Sequence, residues 1–138
     1  MIRNQPPFLD TNVLLRHLLD DHPEHSPRAT SLIAAIERGE HRVVTSEIVV
    51  FETVFTLART YKQPPDRIRE AMLAILGLPG IQLAGKRALR RAFDLYVDLH
   101  LPFADAYHAA MMERLGIDQV LSFDRDFDRV PGLERLEP

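Results

Sequence analysis

Cysteine is absent from the chain. A disulfide scaffold, a thiolate zinc site and a cysteine nucleophile are excluded together, and the composition fits a reducing compartment. Lysine is nearly absent as well: of 17 cationic side chains only Lys62 and Lys86 are lysines, and the rest are arginines. No apolar run approaches the roughly 20 residues that a membrane span needs. The opening stretch MIRNQPPFLD holds no apolar signal segment, so the sequence reads as cytoplasmic, with no membrane partner. An excess of positive charge is also missing. The formal net charge is −3, whereas a protein that grips nucleic acid mainly by charge is usually basic. That balance still admits an enzyme whose metal ions supply local positive charge.

What is present is ordinary for a globular protein: 46% hydrophobic and 27% charged residues in a length of 138. The length suits a single domain over 1–138, able to bury roughly two-thirds of its unfolded surface. No repeat, low-complexity tract or linker interrupts the apolar patterning between residues 8 and 136.

The segments alternate between short apolar runs and longer helical patterns, which predicts an α/β fold. Phe8-Leu9 is the first short strand. Helical spacing follows over 12–19. Ser26 is placed to cap a second helix, with Pro27 at its first position, running to about Arg38 and ending at Gly39. Val43-Val44 is the second strand, and Ser46 caps a helix reaching about Tyr61. A helix from about Asp66 to Leu76 closes at Gly77, and Ile81 to Leu83 forms the third strand. Helical periods recur over 86–99 and from Pro102, at the first helical position, to about Gly116. Gln119 to Ser122 and Leu133 to Leu136 are the fourth and fifth strands. Five strands with helices between them predict one mostly parallel sheet covered on both faces, with ligands beyond the carboxyl ends of its strands.

Four acids stand out. Asp10 directly follows Phe8-Leu9, and Asp124 closely follows Val120-Leu121, so both are predicted at the carboxyl edge of the sheet. Each also fits a cap or turn. Glu52 sits in IVVFETVF, with Ile48, Val49, Phe55 and Thr56 as its helical neighbours. A carboxylate on a buried stripe demands a counter-charge. The alternatives are an exposed edge of the stripe or a buried arginine pair. Asp105, in LPFADAYHAAM, falls near the first turn of its helix, where the dipole favours a negative charge. Phe103, Ala104, Ala106 and Ala109 crowd it. Four like charges gathered at one point would repel and raise one another's pKa. A hard divalent cation with oxygen ligands relieves that conflict, and such an ion activates water against a phosphodiester.

The segments FLDTNVLLRHLL (8–19), TSEIVVFETVFTL (45–57), FADAYHAAMMERLG (103–116) and VLSFDRDF (120–127), in this order, resemble the PIN-domain family. More narrowly they resemble the ribonuclease toxins of VapBC toxin–antitoxin pairs. The resemblance implies a five-stranded sheet of order 3-2-1-4-5 flanked by helices on both faces. It implies Asp10, Glu52, Asp105 and Asp124 as catalytic metal ligands, with Asn12 and Ser122 supporting them through hydrogen bonds. It further implies Mg2+ or Mn2+, endonucleolytic cleavage of RNA, a homodimer and a cognate antitoxin protein. Three departures stand beside it. Pro6 and Pro7 shorten the first strand, because proline donates no ladder hydrogen bond. Asp126 competes with Asp124 for the fourth position, although Asp124 fits the spacing better. A toxin role also depends on a partner that one chain does not show.

Two other readings compete. A receiver-like signalling module phosphorylated on aspartate needs a late lysine beside its acids, and none follows Lys86. A non-catalytic interaction domain on the same fold would bind no metal. KRALRR at 86–91 forms a basic helix face, which is either an RNA contact or a solvated surface. His108, one turn beyond Asp105, is either close to the acids or an ordinary packed or surface histidine.

Overall fold

Proline at positions 6 and 7 leaves the first predicted strand with little to pair. In the computed structural model, which describes residues 5–138, it is reduced to a single parallel bridge between Phe8 and Val44. Two hydrogen bonds hold it: Leu9 N–H donates to the Val44 carbonyl at 2.7 Å, and Val44 N–H donates to that of Pro7 at 2.9 Å. The buried Thr45 hydroxyl adds a third, donating to the Leu9 carbonyl at 2.9 Å.

The chain divides into two units, the first ending at Ala84 and the second running from Gly85 to Pro138. The first unit holds helices α1 (Thr11–Leu19), α2 (His25–Glu37), α3 (Glu47–Arg59) and α4 (Pro65–Leu76), and strands β1 (Val43–Val44) and β2 (Ile81–Gln82). β1 and β2 pair in parallel, Val43 with Ile81 and Val44 with Gln82. With the Phe8 bridge on the other side of β1, the pairing order of the three predicted strands is 3-2-1. Its core gathers Leu9, Leu14, Ile33, Ile36, Val43, Val49, Ile75 and Ile81, so the strands are packed by α1, α2, α3 and α4 together. Gly80 is required at the entry to β2. A Cβ there would meet Ile36 Cγ2 at 2.8 Å and the His41 carbonyl at 3.0 Å, closer than side chains tolerate.

The second unit holds helices α5 (Lys86–Asp98) and α6 (Phe103–Leu115), strands β3 (Gln119–Leu121) and β4 (Glu134–Leu136), and a short 3-10 helix over Arg125–Arg129. α5 and α6 pack through Phe93 on Phe103, with ring centres 4.6 Å apart, and Tyr96 edge-on to Phe103 at 5.5 Å. β3 and β4 are parallel, from Gln119 opposite Glu134 to Leu121 opposite Leu136. Among the described residues the strands therefore make two short parallel pairings and one bridge, rather than one five-stranded ladder.

Local caps explain most element limits, with some differences from expectation. Ser46 Oγ accepts from Val49 N–H and starts α3 as predicted. Pro65 occupies the first position of α4. Gly116, at a φ of 70°, ends α6. Pro102 stands one residue outside α6, as its cap, because its ψ of 145° is extended. Ser26 does not cap α2. The helix begins at His25, two residues before the predicted first position, and the His22 ring takes the capping role, its Nδ1 accepting from the backbone N–H of Glu24 and of His25. Ser26 is buried in the first turn, and its Oγ accepts from His22 N–H at 3.1 Å. The 3-10 helix at 125–129 was not foreseen in the sequence.

Candidate metal centre

Helix α6 opens on Phe103, so Asp105 lies in its first turn, half-buried, while Phe103 and Ala106 on the same helix are buried. Asp124 caps the 3-10 helix that follows β3, its carboxylate accepting from Asp126 N–H at 2.9 Å. Ser122 sets this loop. Its Oγ accepts from Asp124 N–H at 2.9 Å, its own N–H donates to the Leu136 carbonyl, and its carbonyl accepts from Arg135. The three carboxylates of Asp105, Asp124 and Asp126 then form one group, each offering an oxygen within 4.8 Å of the others. Asp105, Ser122 and Asp124 line a cavity of about 490 Å³, with Phe127 and His108 among its other walls.

The electrostatics follow from that crowding. Burial is the largest influence on Asp105 and pushes its pKa up. The negative charges of Asp124 and Asp126 push it further, and His108 partly offsets them. A hydrogen bond between Asp105 and Asp124 also raises it, as the smallest of these influences. One cation tempers the group from outside: Arg129 donates to Asp126 at 2.6 Å and, through its other terminal nitrogen, to the His100 carbonyl at 2.6 Å. The donor set is wholly carboxylate oxygen, which matches the preference of Mg2+ or Mn2+ and lacks the nitrogen or sulfur favoured by softer ions.

The first unit carries the other two predicted ligands. Asp10 is the N-cap of α1, exposed, with no side-chain capping bond. Beside it the Thr11 hydroxyl is buried without a hydrogen-bond partner, an uncommon condition that invites an explanation. Asn12 is exposed in the first turn of α1. Glu52 is on α3 but does not sit on a buried stripe. It is exposed, and its neighbours Ile48 and Phe55 are 66% and 61% exposed. α3 buries Val49, Val50, Thr53, Val54 and Leu57 instead. An apolar surround in sequence had stood for burial, and the helix turned that face outward.

Asp126 is the member that sequence reasoning treated as a rival of Asp124 rather than its companion. The signal was the spacing DRD itself, because a 3-10 turn starting at the first acid folds the second back beside it. Arg129 had no visible signal.

This arrangement, carboxylates gathered from the first turn of a helix and from the loop after a strand in an α/β chain, agrees with the family comparison. The model of the PIN domain matches residues 8–133, across both units, and the chain belongs to that family. Among individual proteins, it is 28% identical to a VapC ribonuclease of Aquifex aeolicus (strain VF5) over 131 residues, covering 95% of this chain and 96% of that one. It is 30% identical to Ribonuclease VapC13 of Mycobacterium tuberculosis (strain ATCC 25618 / H37Rv) over 131 residues, covering 94% and 98%. A VapC ribonuclease of Mycobacterium bovis shows the same identity and coverage. The four motifs that resembled this family in the sequence are thereby borne out as a family assignment.

Proposed function

We propose that the chain is a divalent-metal-dependent endoribonuclease that hydrolyses RNA phosphodiester bonds as the toxin of a type II toxin–antitoxin pair. The carboxylate group of Asp105, Asp124 and Asp126 carries the chemistry of this reading. The likeness to ribonucleases over almost the whole chain supplies the substrate class. In this reading Asp10 and Glu52 join Asp105 and Asp124 as the ligands of Mg2+ or Mn2+, with Asn12 and Ser122 in support. The order 3-2-1-4-5 then follows if the Phe8 strand neighbours β3, making 1–138 one domain. A cytoplasmic homodimer with a cognate antitoxin protein completes the proposal. No helix among the described residues is long and apolar enough to cross a membrane.

The bound ion would supply the charge that makes water a better nucleophile and that stabilises the phosphate during displacement. The chain's own side chains prepare for it. A bound cation would offset the burial and the negative charges of Asp124 and Asp126 that raise the Asp105 pKa, favouring its charged form. Ser122 holds the Asp124 loop against β4, and Arg129 holds one oxygen of Asp126 by a hydrogen bond.

Cleavage of RNA by Asp105→Asn, with a manganese titration of the same protein, tests the reading. Cleavage should fall by about a thousandfold, corresponding to several kcal/mol of transition-state stabilisation, and manganese affinity should fall with it. A variant that cleaves normally would remove Asp105 from the mechanism. A wild-type protein that binds manganese but cuts no RNA would overturn the activity.

A further inference from the structure

Three cavities distinguish themselves by charge. The one beside the acids is anionic. A second, between α5, α6 and the loop before β4, sets Arg91 against Glu113 at 2.9 Å and is neutral. The third, about 560 Å³ in the groove between α1 and α2, has no carboxylate in its wall. Its polar wall residues are Asn12, Arg16, His25 and Arg28, over an apolar floor that includes Val13 and Leu32. The wall itself therefore carries two arginines and no acid, with Asp21 and Glu24 just outside it as their ion-pair partners.

We infer that the α1–α2 groove holds the RNA strand, with Arg16 and Arg28 on phosphates and His25 against a base. The inference rests on the ribonuclease reading and deepens it. Asn12 and Arg16 lie one turn apart on α1, and His25, Arg28 and Leu32 follow one face of α2. The groove therefore starts two residues from Asp10 and leads away from it along α1. Both arginines are only loosely engaged. Arg28 stands 4.0 Å from Glu24, and both side chains are about three-quarters exposed. Arg16 lies 3.3 Å from Asp21. Exposed pairs of this kind contribute little and yield readily to phosphate, for which the guanidinium fork is well suited. His25 is stacked on His22 at 4.1 Å with ring planes 10° apart. Two backbone hydrogen bonds to His22 hold that lower ring in place, so the exposed His25 ring offers a supported flat surface for a base. The apolar floor accommodates ribose and base edges.

The test is steady-state cleavage of a labelled single-stranded RNA of mixed sequence, across a range of salt concentrations. In Arg16→Gln/Arg28→Gln, KM should rise about tenfold with kcat within twofold. The slope of log kcat/KM against log salt should become shallower by about 1.4, the value for two lost single-strand phosphate contacts. The double lysine variant should keep the wild-type slope. His25→Ala should raise KM about fivefold and leave the slope unchanged. Glu24→Gln frees Arg28 and should lower KM, a gain that misfolding does not imitate. Unchanged KM and slope in the glutamine variant, while the wild type cleaves normally, would overturn the groove assignment and leave the activity standing. Unchanged RNA kinetics with lost binding of a partner protein would assign the groove to that partner and also overturn it. A wild type that cleaves no RNA would instead fell the ribonuclease reading, and this inference with it.

Discussion

Asp10 and Asp124 occupy equivalent places in the two units, yet their carboxylates are committed differently. Each follows a short extended run and stands at the N-cap position of the helical turn after it. Asp124 uses an oxygen on its own loop, accepting from Asp126 N–H, and Ser122 holds its backbone. Asp10 makes no capping bond, so nothing local restrains its carboxylate. A side chain that does no work for its own turn is free for a ligand. One that orders its turn has a structural task as well as any chemical one. The two positions should therefore respond differently to the same substitution.

The largest contrast is expected from Asp10→Asn. RNA cleavage should fall by about a thousandfold, while the melting temperature stays within about 2 °C of wild type, the range of a neutral surface substitution. A marked drop in melting temperature would erase the distinction, because it would give Asp10 a structural task after all. At the second junction, Asp124→Asn keeps an acceptor for Asp126 N–H and should lose cleavage with little loss of stability. Asp124→Ala should lose about 1 kcal/mol in addition, the usual worth of a cap, measured by urea unfolding. Equal stability of the two variants would show that the capping bond does not matter. Ser122→Ala, which leaves every acid in place but releases the loop, should weaken manganese binding by about tenfold. Unchanged affinity would mean that β4 alone positions Asp124.

Acidity sharpens the comparison further. Burial and the charges of Asp124 and Asp126 raise the pKa of Asp105 above its unfolded value. In that interval the folded protein binds more protons than the unfolded one. Stability is thus full below the ordinary aspartate range and is lost as pH rises through the folded pKa. Melting in the presence of a chelator should show this decline, and Asp105→Asn should flatten it. Manganese should reverse it, with an affinity that grows with pH across the same interval. A melting temperature equally pH-dependent in Asp105→Asn would place the titration elsewhere. The smallest effect is expected at Thr11. Its buried, unpartnered hydroxyl is costly, so the isosteric Thr11→Val should stabilise the protein by about 1 kcal/mol. Destabilisation instead would reveal a partner for that hydroxyl in solution.

Much of this was legible in the sequence where a local rule and the packing agree. Ser46 before an apolar helix, Gly77 and Gly116 after their helices, and Val43-Val44 between two helices each predicted their element within a residue or two. The departures share a cause, which is that the partner was not local in the pattern being read. His22 caps α2 because its ring reaches back over two peptide N–H groups, a task that residue type alone assigns to Ser26. Glu52 is surrounded by apolar letters, yet the face it shares with Ile48 and Phe55 is turned to solvent. Its neighbours in sequence did not say which face of α3 meets α1. Asp126 joins Asp124 because a 3-10 turn brings residues two apart together, whereas strand-and-helix periodicity would have separated them. The predicted ligand set is thus half assembled within one unit, with Asp126 added. The roles of Asp10 and Glu52 continue to rest on the family motifs.

Arg135 has a consequence out of proportion to its place. Its side chain is only 11% exposed, and its guanidinium reaches the Ser122 carbonyl, Asp128 and Glu137 at once. Residues 134–136 thereby act as a splint for the Asp124 loop. An affinity tag, a frameshift or a protease nick in this stretch would leave helices α1 to α6 intact and every proposed ligand present. Such a protein would pass a circular-dichroism check and still bind manganese poorly, a lesion easily mistaken for an inactive natural variant.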